Sequence, residues 1–126
     1  MPDHPDVSRL FPADLPGPGH WERRYPKRGL PGGAQVTRFA PSPTGYVHIG
    51  GVYVATIDVD VVRHSGGTYL VRIEDTDRAR VTDDAISQFA GAFSYFSIGS
   101  DEDEDGPYGP YTQSRRSAIY LSYVRQ

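Results

Sequence analysis

At 126 residues and 13.9 kDa, the chain has the size of one small domain. Its formal net charge of -3 and its pI of about 5.7 exclude a strong overall attraction to nucleic acid. The absence of cysteine excludes disulfides and cysteine-ligated zinc, and the four histidines lack the spacing of a structural zinc site. Neither a signal peptide nor an apolar run near the ~18 residues of a membrane span is present, so we expect a cytoplasmic protein without membrane contact.

Residues 1–34 form a first segment that is rich in proline, glycine and charge. Spaced large apolar side chains are uncommon in disordered sequences, and this segment carries Leu10, Phe11, Trp21, Tyr25 and Leu30. We therefore predict an irregular arm that packs these side chains on the domain, in preference to a flexible leader. For the basic and aromatic stretch 21–28, cation–aromatic packing is favoured over a nucleic-acid patch.

The rest of the chain, residues 35–126, begins with the pattern of a parallel α/β unit. Strands are predicted at 35–40 and 68–73, where short apolar runs occur. Local pattern leaves residues 50–63 open between a strand and a helix, because β-branched residues favour the first and the spacing of several valines suits the second. A glycine pair after this segment supplies a helix stop.

A further helix is predicted after Thr82, which suits an N-cap position. Its apolar face is expected to consist of Ile86, Phe89, Ala90, Phe93 and Phe96. The acidic run 101–105 is interpreted as a solvated loop, and a turn-rich loop follows at 106–110. A last helix is predicted from about Ser114 to the end of the chain.

Two segments carry residue types that suit phosphate and amino-acid chemistry. The first leaves the first strand and reads Arg38-Phe39-Ala40-Pro41-Ser42-Pro43-Thr44-Gly45-Tyr46-Val47-His48-Ile49-Gly50-Gly51. Glycines at a strand-to-helix turn let a phosphate approach the backbone, and a helix N-terminus supplies free N–H groups and a positive dipole. A histidine there can donate a hydrogen bond to charge that develops on a phosphoryl group.

The second segment follows the second strand and reads Arg72-Ile73-Glu74-Asp75-Thr76-Asp77-Arg78. Open α/β sheets bind their ligands at the carboxyl ends of the strands, which is where this segment is predicted to lie. From the residues alone, the charged side chains at 75, 77, 78 and 80 remain open between a binding site and a salt-bridged turn.

Together the two segments resemble the nucleotide and amino-acid site of class I aminoacyl-tRNA synthetases, and the glutamyl-tRNA synthetases most closely. The resemblance covers residues 36 to about 123, and the stretch 21–26 is similar to a leader in a subset of bacterial glutamyl-type enzymes. It implies an α/β fold, with the first half of a Rossmann-like nucleotide-binding catalytic domain at 35–126, and it resolves 50–63 as the helix of a right-handed βαβ unit. The family's usual first signature ends in histidine, and Gly51 is an ordinary variant among glutamyl enzymes.

The resemblance implies a set of ligands and a residue for each. It implies ATP with its accompanying Mg²⁺, no zinc and no protein-bound metal, and ATP contacts at Thr44, His48, Gly50 and Gly51, with His48 also as the catalytic residue. It implies glutamate contacts at Arg38, Ala40, Ser42 and Glu74. In this interpretation Arg38 clamps the side-chain carboxylate with its planar fork, Ser42 hydrogen-bonds the substrate, and Glu74 holds the α-ammonium.

The implied function is that of the N-terminal portion of a glutamate–tRNA ligase, with tRNA as a partner of the complete enzyme. The family's Lys-Met-Ser-Lys-Ser loop is not in this sequence, so we expect the chain alone not to complete aminoacylation. Arg115 replaces a usual glutamate and Ala118 a common aspartate, which puts normal function of that end in doubt. We also expect an open sheet edge that favours association.

Two other functions stay open at the level of sequence. One is a glutamyl-queuosine tRNA synthetase-like enzyme, which activates glutamate without an anticodon domain. The other is a truncated, non-catalytic paralogue that acts as a binding module. A glutaminyl enzyme fits less well, because that group usually differs around residues 41–43.

Overall fold

The computed structural model describes residues 10–102 and 104–126. In chain order the elements are helix α1 (Pro18–Arg24), strand β1 (Val36–Phe39), helix α2 (Ile49–Ser65), strand β2 (Thr68–Val71), helix α3 (Asp83–Tyr95), a 3-10 turn (Gln113–Arg116) and helix α4 (Ser117–Val124). β1 and β2 pair in parallel with α2 between them, which confirms the predicted strand–helix–strand unit. No helix in this described part of the chain is long and apolar enough to cross a membrane.

One face of the two-stranded sheet packs against α2 and α3. Tyr69 of β2 is only 1% exposed and belongs to the same buried cluster as Val59 of α2 and Phe93 of α3. Phe39 of β1 meets Phe93 edge to face, with ring centroids 5.6 Å apart. This core fixes α2 over the sheet, so that the start of α2 lies beside the carboxyl end of β1.

α2 ends at the predicted glycine pair. Gly66 adopts the left-handed conformation, with φ 68° and ψ 31°, that ends many helices. At Gly67 the chain crosses the start of β1 so closely that a Cβ atom would lie 1.7 Å from the carbonyl oxygen of Gln35. The same oxygen accepts the Thr68 amide at 3.0 Å, and this bond starts the parallel pairing.

Both strands are shorter than the sequence predicts, but single backbone bonds extend the pairing. The Arg72 amide donates to the Phe39 carbonyl at 3.0 Å, and the Glu74 amide donates to the Pro41 carbonyl at 2.9 Å. Because Pro41 has no N–H of its own, the regular ladder cannot continue past it. Ile73 instead forms an isolated bridge with Thr112 on its other side.

The predicted apolar face of α3 is wrong at three of its five positions. Ile86, Ala90 and Phe96 are exposed, whereas Phe89 and Phe93 are buried as predicted. The helix presents a stripe at spacing i, i+4, i+8 to the sheet, and this stripe begins at the buried Ala85. α3 begins after Thr82 as predicted, but the Thr82 side chain makes no capping hydrogen bond.

The sequence predicted an irregular N-terminal arm, but the arm contains a helix, α1. Pro18 stands in the first turn of this helix, where a missing N–H has no consequence. The arm is tied to α4 by the buried Ser122 hydroxyl, which donates to the Pro16 carbonyl at 2.7 Å. Leu10, a predicted anchor, is 75% exposed, and residues 1–9 of the predicted arm lie outside the described residues.

The structure shows the cation–aromatic packing predicted for residues 21–28. The Arg28 guanidinium lies 4.0 Å from the centroid of the Tyr108 ring and pairs with Glu102 at 2.6 Å. The acidic run is therefore not simply a solvated loop, because Glu102 binds the arm and Asp101 accepts the Tyr69 amide at 2.7 Å. Position 103 of that run lies outside the described residues.

Replacing Gly67 with alanine is expected to destabilise the fold by about 3 kcal/mol, because the new Cβ would collide with the Gln35 carbonyl and part the strands. Gly91, inside α3, has nothing within 4 Å of a Cβ position, and Gly91→Ala is the matched control. The control is expected to stabilise the helix by about 0.5–1 kcal/mol. Urea unfolding of both variants measures the difference, and equal stabilities would contradict the close crossing.

Candidate functional site

The segment between β1 and α2 forms a tight, anchored loop. The Thr44 amide donates to the Ser42 carbonyl at 2.8 Å, which closes the turn. The Pro43 side chain is fully buried, and its carbonyl accepts the Thr82 amide at 3.0 Å. The loop is thus fixed to the start of α3 as well as to β1, and its polar groups have defined positions.

A cavity of about 460 Å³ opens at the N-terminus of α2. It gathers six of the eight residues that the sequence assigned to ATP and glutamate: Ala40, Ser42, Thr44, His48, Gly50 and Gly51. His48 is the N-cap of α2, and its carbonyl accepts the Gly51 amide at 3.0 Å. The amides of Ile49 and Gly50 begin the helix and have no acceptor within it, and Gly50 lines the cavity.

Gly50 lets the His48 ring lie close to the backbone of α2. A Cβ atom at Gly50 would lie 3.1 Å from both Cε1 and Nδ1 of the His48 ring, so the ring rests against the helix backbone. The same atom at Gly45 would meet nothing within 4 Å, and at Gly51 it would make an ordinary 3.5 Å contact with Phe39. A side chain at residue 50 would therefore require the exposed His48 ring beside the cavity to shift.

Arg38 and Glu74, which were predicted to bind opposite ends of glutamate, bind each other. Nη1 of Arg38 lies 3.1 Å from Oε1 of Glu74, and the two side chains are 38% and 34% exposed. Arg72 approaches the same carboxylate oxygen at 4.0 Å. A half-exposed pair of this kind contributes no more than about 1 kcal/mol, so a ligand with both charges can replace it at small cost.

Arg38 does not line the cavity that holds the other predicted residues. It lines a separate cavity between the arm and the sheet, because its side chain leaves β1 on the face opposite to that of Phe39. The sequence interpretation did not anticipate this separation. Glu74 connects the two regions, since its side chain pairs with Arg38 and its amide binds the Pro41 carbonyl.

Asp75 has a structural role that the sequence left open. Its carboxylate accepts the Ser114 amide at 2.8 Å and the Ser114 hydroxyl at 2.5 Å. Burial alone would raise the pKa of Asp75, but these hydrogen bonds and the nearby Arg78 together hold it below its ordinary value. The interaction fastens the end of β2 to the 3-10 turn, and no local pattern reveals a contact between positions 39 residues apart.

The remaining charges of this segment form a turn. Arg80 pairs with Asp77 at 3.6 Å, and both side chains are more than half exposed. Within residues 10–102 and 104–126, no group of three or more histidine, aspartate or glutamate side chains converges as metal ligands would.

Replacing Asp75 with asparagine is expected to make the free energy of unfolding fall less steeply than in the wild type as the pH becomes acid. A lowered folded-state pKa stabilises the protein above the unfolded value of about 3.9, and this stabilisation is lost as pH falls through the folded value. Urea unfolding from neutral pH downward should therefore show curves for the wild type and Asp75→Asn that converge in acid. Ser114→Ala should give an intermediate curve, and Ser87→Ala, at an exposed serine of α3, should match the wild type. Parallel curves for Asp75→Asn would contradict this assignment.

Comparisons with known proteins agree with one another. Residues 35–126 match the family described as tRNA synthetases class I (E and Q), catalytic domain. The glutamate–tRNA ligase of Clostridium perfringens is 41% identical over 122 residues, which cover 92% of this chain and 22% of that protein. The glutamate–tRNA ligase of Gloeobacter violaceus is 47% identical over 108 residues, which cover 84% of this chain and 20% of that protein.

Solved structures give the same result at the level of fold. A glutamate–tRNA ligase from Elizabethkingia meningosepticum, crystallised in complex with its amino acid, superposes with a TM-score of 0.69 and 42% identity. The superposition covers 75% of this chain and 19% of that one. This agreement confirms the expected Rossmann-like fold of the N-terminal catalytic part. The chain spans about a fifth of the length of the relatives that it matches.

Proposed function

Since the chain belongs to the family of class I tRNA synthetases for glutamate and glutamine, we propose that it forms the first part of a glutamate–tRNA ligase catalytic domain. In the complete enzyme the α-carboxylate of glutamate attacks the α-phosphate of ATP, the bond to the β-phosphate breaks, and pyrophosphate leaves. The glutamyl group then passes from the adenylate to tRNA. The observation that carries this proposal is the cavity at the start of α2, which gathers six of the eight predicted ligand residues.

The proposed ATP site fits a polyphosphate. Free amides at the start of α2, the helix dipole and the absence of a side chain at Gly50 together offer a phosphate close access to the backbone. His48, at the N-cap of α2, would donate a hydrogen bond to charge that develops on the reacting phosphate. Mg²⁺ would accompany ATP as a counter-ion of its phosphates.

The proposed glutamate site begins with the Arg38–Glu74 pair. The substrate carries a carboxylate and an ammonium, so it can replace each partner of the pair with a group of the same charge. The planar guanidinium of Arg38 suits the side-chain carboxylate, and Glu74 suits the α-ammonium. Glutamine would leave Arg38 without a matching anion, which is the kind of polar mismatch that discriminates strongly between substrates.

Replacing Gly50 with alanine is expected to weaken ATP binding by about tenfold or more, because the Cβ displaces His48 and obstructs the phosphate. Gly45→Ala is the matched control, since a Cβ there meets nothing within 4 Å. NMR shifts of the Gly51 amide during ATP titration detect even weak binding by the chain. Absence of saturable shifts at ATP levels well above ~1 mM, the upper end of ordinary KM values, would contradict the proposed site.

A further inference from the structure

A second cavity of about 470 Å³ lies between the N-terminal arm and the sheet face that α2 does not cover. Residues of α1, both strands, the loop 106–110 and α4 contribute to its walls. It shares no lining residue with the proposed ATP cavity. The glutamate site proposed above reaches this space only at Arg38, and the rest of its lining has no ligand in the proposed activity.

The lining of this arm–sheet cavity is strongly cationic. Its positive side chains are Lys27, Arg28, Arg38, Arg72 and Arg116, and its single carboxylate is that of Glu22. Two further carboxylates reach these cations from outside the lining: Glu102 binds Arg28 and Glu74 binds Arg38. Lys27 and Arg116 form no ion pair among the described residues, so two positive charges remain without a carboxylate partner there.

Lys27 and Arg72 donate no side-chain hydrogen bond among the described residues, and Arg116 donates only through Nη1. Arg72 approaches Glu74 only at 4.0 Å, beyond hydrogen-bond distance, and its buried Nε has no partner in the described part of the chain. Arg116 donates Nη1 to the Pro110 carbonyl at 2.7 Å, but its buried Nε also lacks a partner. The terminal nitrogens of Arg72 and Nη2 of Arg116 make no hydrogen bond within the described residues, so they can donate to an acceptor in this cavity.

The unpartnered donors are concentrated at this one place. The described residues contain five buried side-chain atoms without a hydrogen-bond partner, and three of them belong to residues that line the cavity: Trp21, Arg72 and Arg116. The Nε atoms are shielded from solvent, so an incoming ligand would meet the terminal guanidinium nitrogens. The Arg72 side chain keeps 25% exposure, which leaves part of this group accessible.

The remaining walls strengthen these charges. Leu70, Tyr111 and Ile119 are buried apolar or aromatic side chains that border the cavity. An apolar surrounding lowers the local dielectric constant and makes each ionic contact stronger than it is in water. Arginine forks bind phosphate oxygens in pairs, and the two residual charges match a phosphate dianion.

We propose that the arm–sheet cavity is a second binding site, which takes a phosphate group, with Arg72 and Arg116 as its main ligands and Lys27 at its rim. The phosphate is either free or the terminal group of a small nucleotide. The site depends on the arm, because α1 and the residues after it form one wall. It does not depend on the proposed ligase activity.

The chain provides its own reporter for a test. Trp21 is its only tryptophan and lines the cavity, so its fluorescence responds to a ligand there. At constant ionic strength, inorganic phosphate is expected to change this fluorescence saturably, whereas chloride is not. Arg72→Gln should weaken phosphate binding by about tenfold or more, the effect of losing one charged hydrogen bond. The matched control is Arg23→Gln, which lies on α1 with Trp21 but outside the cavity lining and should keep wild-type affinity.

Further variants and probes make each outcome decisive. Lys27 is exposed, so Lys27→Gln should fold normally, as circular dichroism can check, and should weaken binding to a smaller extent. If adenosine monophosphate binds more tightly than phosphate, the ligand is a small nucleotide. If the two affinities are equal, the ligand is free phosphate. No saturable response to phosphate, or equal losses in Arg72→Gln and Arg23→Gln, would overturn the proposal. A response to L-glutamate alone would also overturn it and assign the cavity to the amino-acid site, whereas the Gly50 experiment tests the ATP site separately.

Discussion

The parallel pairing of two four-residue strands determines the rest of the structure, because it brings the carboxyl ends of both strands to one edge. The close crossing at Gly67 starts this pairing, and the Glu74 amide, bonded to the Pro41 carbonyl at 2.9 Å, continues it beyond the ladder. Backbone bonds thus hold the two sequence motifs side by side.

Charge is distributed differently on the two sides of the sheet. On the α2 side, the cavity offers backbone amides and a histidine but no cationic side chain in its lining. On the arm side, arginines are held by aromatic rings and carboxylates, and two positive charges remain. The Arg38–Glu74 pair lies where the two sides meet. Because this ion pair is weak, an acidic amino acid, which carries an ammonium and a side-chain carboxylate, can replace it.

Local signals in the sequence, namely short apolar runs and a glycine pair, predicted β1, β2 and the end of α2. The helical state of α2 and the set of ligand residues came from the family resemblance. Sequence prediction failed where distant contacts decide. The seven residues of α1 are too few to be stable alone and depend on packing against α4. Ile86 is apolar but exposed, since the i, i+4 stripe from Ala85 meets the sheet instead. Glu102 is ordered by Arg28, 74 positions away, which no local pattern shows.

The central claim is that a glutamyl-adenylate opens the Arg38–Glu74 pair and fills the cavity at the start of α2. A crystal structure of the chain with a non-hydrolysable glutamyl-adenylate analogue tests it most directly. We expect the phosphate mimic to lie at the Gly50 backbone and Arg38 to contact the side-chain carboxylate of the analogue. The present 3.1 Å contact between Arg38 and Glu74 should be lost. An analogue bound elsewhere, with the Arg38–Glu74 pair intact, would contradict the account.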